Sequence, residues 1–82
     1  MKRARTFLHI AAQRDEGRNW LTFQVTDDPP TYAVVASVGS YNDARARAGR
    51  NDQQLRIERT AWEQMVAAGV APKALPADVT VV

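Results

Sequence analysis

The sequence predicts a small α+β domain: an antiparallel sheet of three to four strands, one packed helix over residues 60–69 and a weaker helix over 41–48. Three observations carry that expectation. Residues 5–38 fall into three runs of alternating apolar and polar side chains. The breaks between those runs are too short to hold a crossover helix, which favours an antiparallel meander. After Gly39 the apolar spacing changes from a period of two to a helical one.

The first strand is expected over residues 5–13, with Thr6, Leu8, Ile10 and Ala12 on one side and Arg5, Phe7, His9 and Ala11 on the other. Residues 14–19 read as a hairpin turn, because Gly17 can take a positive φ without steric cost. The return strand, 20–26, puts Leu21, Phe23 and Val25 on one face and Trp20, Thr22, Gln24 and Thr26 on the other. Asp27-Asp28-Pro29-Pro30 stops it, since proline lacks a donor and restricts its predecessor. A third strand over 31–38 is the most apolar and is expected at the centre of the sheet.

Ser40, with Asp43 three residues on, fits an N-cap for the 41–48 helix, and Gly49 fits its stop. The apolar face of Tyr41, Ala44 and Ala48 is narrow, so this helix is expected to lie lightly on the domain or to remain mobile. Leu55 and Ile57 share one face of a strand but point about 200° apart on a helix, which favours a short fourth strand over 54–58. Thr60 and Glu63 have capping-box spacing ahead of Trp62, Met65 and Val66, and Gly69 and Pro72 end that helix. The final Val79-Thr80-Val81-Val82 has strand composition and must pair with this sheet or with another copy's edge. The expected inner layer is Leu8, Ile10, Leu21, Phe23, Val25, Val34, Trp62, Met65 and Val66, with the inward face of the third strand left open. No repeat or linker divides the chain, so residues 1–82 are read as one domain.

A chain of 9.1 kDa buries only about 60% of its unfolded surface, a thin margin against conformational entropy. Disulfides cannot supplement it, because there is no cysteine, and a structural metal is disfavoured with His9 as the only histidine. Self-association is the expected support. The N-terminal Lys2-Arg3-Ala4-Arg5 resembles the head of a signal peptide, but His9 and the polar residues 13–16 interrupt the apolar run after it, which points to the cytoplasm. No run is long enough to span a bilayer.

Catalysis needs several convergent groups, and His9 alone has an ordinary pKa near neutrality. The spacing gives it no orienting carboxylate; Asp27-Asp28 reads as a charged turn, and the scattered glycines form no phosphate loop. No catalytic residue, cofactor or metal ligand is therefore expected, and the chain is read as a non-enzyme. Two binding readings remain. The favoured one is a protein-interaction or regulatory module, homodimeric, with Phe7, Trp20 and Tyr32 as partner-binding candidates, because exposed aromatics on a sheet make binding hot spots. The alternative is a basic nucleic-acid-binding protein. Arg45, Arg47, Arg50, Arg56 and Arg59 put five cations within fifteen residues, and Arg3, Arg5, Arg14 and Arg18 form a second group. On a helix Arg45 points well away from Arg47, which weakens a compact phosphate-binding stripe.

Overall fold

The computed structural model describes residues 7–82. The expected start of the first strand at Arg5 and Thr6, and the basic residues Arg3 and Arg5, lie outside these. The elements are β1 (Phe7–Asp15), β2 (Arg18–Asp27), β3 (Pro30–Val34), α1 (Val38–Arg50), β4 (Gln54–Ile57), α2 (Arg59–Ala67) and β5 (Val79–Val81).

The first three strands form the antiparallel meander that the alternation predicts. Asp15 and Arg18 close the first hairpin, with Glu16 at φ 51° and Gly17 at φ 77° between them. Two consecutive positive φ values match the right-handed twist of the flanking strands. A Cβ built on Gly17 would meet nothing within 4 Å, so only backbone strain opposes a side chain there. Gly17→Ala is expected to cost about 1 kcal/mol, read as a lower denaturation midpoint with an unchanged slope.

The sheet as a whole differs from the expected one. It has five strands in the order β3-β2-β1-β4-β5, and it is mixed: β4 runs parallel to β1, and β5 parallel to β4. Helix α1 makes this possible. Its 13 residues span about 20 Å, enough to carry the chain from the end of β3 across two strands to β4. The central strand is therefore β1, while β3 is an edge strand of only five residues. The apolar run that suggested a longer, central β3 is divided in use. Val35 drops into the core just past the strand, and Val38 already belongs to α1.

Both helices also differ from expectation. The N-cap of α1 is Ser37, not Ser40. The Ser40 backbone N–H donates to Ser37 Oγ at 3.1 Å, and the Ser37 backbone N–H donates to Ser40 Oγ at 2.9 Å, a reciprocal box built from two serines. Gly49 lies inside the helix, which ends at Asn51. Far from lying lightly, α1 buries Tyr41, Ala44 and Ala48 almost completely, because two alanines let it approach the sheet closely. In α2 the Thr60–Glu63 box does not form. The cap residue is Glu58, whose carboxylate accepts the Ala12 N–H of β1 at 2.9 Å instead. Gly69, at φ 75°, follows the helix end.

The crossovers β3-α1-β4 and β4-α2-β5 move in the same direction across the sheet. The right-handed rule then puts both helices on one face. Their contacts agree: the Tyr41 and Trp62 rings lie 6.5 Å apart, and residues of both helices share one core with Leu8, Ile10, Phe23, Leu55, Ile57 and Val79. Leu21, Val25, Trp62 and Val66 pack against that core. Of the expected inner layer only Val34 points the other way, at 44% exposed, and Ala33 and Val35 serve in its place. The result is two layers, with helices on one side of the sheet and none on the other among the described residues.

Arg45 of α1 ties the loop before β5 to the helix. Its Nε and Nη2 donate to the two carboxylate oxygens of Asp78 at 3.1 and 2.8 Å. The hydrogen bond from Arg45 holds the Asp78 carboxyl below the ordinary carboxylate range. A depressed folded pKa gives stability that is present above the unfolded value and lost as pH falls through the folded one. The Asp78 side chain is 54% exposed, so solvent screening limits the pair to at most about 1 kcal/mol. Asp78→Asn is expected to lower stability slightly at neutral pH and to flatten part of its decline below about pH 4, measured by urea denaturation at both pH values.

Candidate interaction surface

Strand alternation determines what the helix-free face carries. On β1 the side chains opposite the core residues Leu8 and Ile10 are Phe7, His9, Ala11 and Gln13. The register continues this face through Trp20, Thr22 and Gln24 of β2, then Tyr32 and Val34 of β3. On the other side it runs through Gln54 and Arg56 of β4 to Thr80 of β5. Six large hydrophobic residues of the described chain are prominently exposed: Trp20, Tyr32, Val34, Val38, Leu75 and Val82. The first three lie on this face, and Val82 continues the alternation past Thr80 at its margin.

A cation and two rings meet around Phe7. Arg56 Cζ lies 3.8 Å from the Phe7 ring centroid, and the His9 ring sits 6.0 Å from Phe7 with a 58° tilt. A guanidinium at that distance is held by the ring's quadrupole and keeps its charge available at the edges. Gln54 Nε2 donates to Thr80 Oγ1 at 2.6 Å, and Thr22 is buried by its neighbours, so the interior of the face is partly polar. Along the register two carboxylates stand at strand ends: Asp15 opposite Arg18, and Asp27 opposite Pro30, where it accepts from Gln24 Nε2 at 3.1 Å.

The partner-binding candidates Phe7, Trp20 and Tyr32 share this face but do not form one cluster. Trp20 pairs with Gln13 near the β1–β2 hairpin, while Tyr32 pairs with Gln24 toward the other end. Four residues of strand separate those levels, about 13 Å. Phe7 lies on the Tyr32 side of the face. The aromatics thus occupy opposite ends of the platform.

The nucleic-acid candidates are dispersed. Arg45 is engaged by Asp78 and stands over Tyr41 at 5.9 Å. Arg47 and Arg50 line a cavity of about 330 Å³ between α1 and β3, together with Ser40 and Asp43. Arg56 is on the sheet face, with its Nε buried and without a hydrogen-bond partner. Arg59 is exposed at the start of α2. Five residues close in sequence therefore point to four different places, because β4 inverts direction between α1 and α2.

His9 joins Phe7 on the platform, and among the described residues no group of three His, Cys, Asp or Glu side chains could hold a metal ion. No described helix is long and apolar enough to cross a membrane. Sequence reasoning missed the extent of the surface: the role of Arg56 beside Phe7, and of Val34, depends on the sheet order alone. Comparison with known proteins finds no matching family, curated protein or solved structure.

Proposed function

We propose that this protein is a non-catalytic interaction or regulatory module of the cytoplasm, homodimeric through its uncovered sheet face. The observation that carries this reading is the concentration of exposed Trp20, Tyr32 and Val34 on the one sheet face without helices. The two parallel pairs, β1–β4 and β4–β5, are of the kind ordinarily covered on both sides, and here one side is open. Five strands about 4.8 Å apart make a platform of several hundred Å², the scale of one side of a standard interface at about 800 Å².

The placement of the aromatics supports a second copy as occupant. A two-fold axis lying across the strands reverses their direction while keeping each strand over its counterpart. Trp20 of one copy then falls over the end of the other copy that carries Phe7 and Tyr32, and the reverse contact forms with it. Such a contact is isologous and closes at two subunits. Sheets packed about 10 Å apart leave room for these rings to interdigitate. Light scattering should give twice the 9.1 kDa chain mass, little changed by salt, and Trp20→Ala should return it to the monomer value. A variant that keeps the dimer mass would remove this face from the interface.

The group formed by Arg56, Phe7 and His9 favours a second reading, a single-stranded nucleic acid stacked on the face with its backbone near the cation. That reading predicts retention on single-stranded DNA or RNA that collapses as salt rises and weakens in Arg56→Ala. Absence of retention at low salt would remove it.

A further inference from the structure

We propose that the outer edge of β3, with the groove beside it under α1, accepts an extended segment of a partner protein that directs a carboxylate toward Arg47. This goes beyond the dimer face: it uses a strand edge, and a different occupant. Val35 N–H donates to Leu21 C=O at 2.7 Å, which turns Ala33 and Val35 toward β2. By strand alternation the N–H and C=O groups of Tyr32 and Val34 then point away from the sheet. Beyond them, Ala36 N–H is closed off by Ser40 Oγ at 2.8 Å. Four outward backbone groups are therefore presented in a row at the end of the strand order.

Edge strands are usually protected by charge, proline, a bulge or extreme shortness; Pro30 and the register shift at Gln24/Thr26 guard the start of β3 and leave Tyr32 to Val34 as its open stretch. Between Pro30 and Val34 this one carries no charged side chain, whereas the opposite edge, β5, has only three residues. The groove of about 330 Å³ runs alongside, with Phe23 and Ala33 as apolar lining and Asp43, Arg47 and Arg50 as charged wall. Two cations against one carboxylate leave that wall positive. An added strand would present alternate side chains to it, so backbone pairing supplies affinity and the groove selects sequence. A second copy's β3 fits less well, because its residues on the helix side are uncharged and leave Arg47 unanswered.

The test is selection of a displayed library of random octapeptides on the full chain, in parallel on the Trp20→Ala variant, whose β3 edge is intact. The expected result is enrichment on both of proline-poor peptides with alternating apolar residues and an Asp or Glu. Titrated with the leading synthetic peptide, the amide signals of Tyr32 and Val34 should shift. Arg47→Ala, or Gln in place of the peptide's acid, should weaken binding about tenfold. No enrichment, enrichment of proline-rich or basic peptides, or shifts centred on Trp20 and Phe7 would overturn the proposal. Loss of binding in Trp20→Ala alone would also overturn it, by tying the effect to the sheet face. Monomeric wild type with intact peptide binding would overturn the dimer and leave this edge standing.

Discussion

Trp20→Ala is expected to raise the dimer dissociation constant about a thousandfold. A buried tryptophan at an interface commonly contributes about 2 kcal/mol, and a two-fold contact loses it twice, about 4 kcal/mol in all. At about 1.4 kcal/mol per factor of ten, that is three orders of magnitude. The fold of each chain should survive. Trp20 is 39% exposed at the end of β2, outside the common core, so its loss removes little from the monomer. Concentration-dependent sedimentation gives the first quantity, and urea denaturation at low protein concentration gives the second. A dissociation constant within threefold of wild type would contradict the assignment of this residue.

Ile10→Ala is expected to have the opposite signature, a large loss of monomer stability. Ile10 is fully buried at the middle of the central strand, paired with Phe23 on one side and Ile57 on the other. Truncating such a residue costs about 2–5 kcal/mol, the transfer of the lost methyl groups plus the cavity left among neighbours from both helices and three strands. A domain of this size has roughly 4–12 kcal/mol in total. With a urea slope of about 1 kcal/mol per molar, the midpoint should fall by roughly 2–5 M, and a loss at the upper end would leave the chain largely unfolded without denaturant. Val34→Ala is the control. It removes two carbons, against three in Ile10→Ala, from the open face, where 44% of the residue is already exposed, and should cost the monomer under about 1 kcal/mol.

Much of the local structure was legible in the chain. Alternation identified the two faces of β1 and β2, Gly17 marked the hairpin, and the opposed directions of Leu55 and Ile57 on a helix pointed to the strand they form. Tyr41, Ala44 and Ala48 were recognised as one face of a helix, but their burial was underestimated because small residues signal close approach as readily as weak contact. The caps misled for a specific reason. Ser37 and Ser40 are three apart, so each could cap a helix, and only the position where the strand leaves the sheet decides between them. The Thr60–Glu63 box gave way to a cap at Glu58, whose carboxylate is taken by the Ala12 N–H, a partner 46 residues away.

The sheet order was beyond local reasoning. Parallel pairing of β1 with β4 joins residues such as Leu8 and Leu55, and no short-range pattern specifies it. That pairing displaces β3 to the edge, disperses the arginines and sends both helices to one side. The candidate aromatics Phe7, Trp20 and Tyr32 were assembled from alternation alone, whereas the uncovered platform that holds them depends on the direction of two crossovers.

Contacts between copies give the most direct test of the central claim, that this platform is the dimer interface. In an equimolar mixture of isotope-labelled and unlabelled chains, filtered nuclear Overhauser effects report only contacts across the interface. Signals are expected from the Trp20 indole of one copy to the Tyr32 and Phe7 rings of the other. Intermolecular signals confined to α1 and α2, or none at concentrations far above the dissociation constant, would contradict a dimer built on this face.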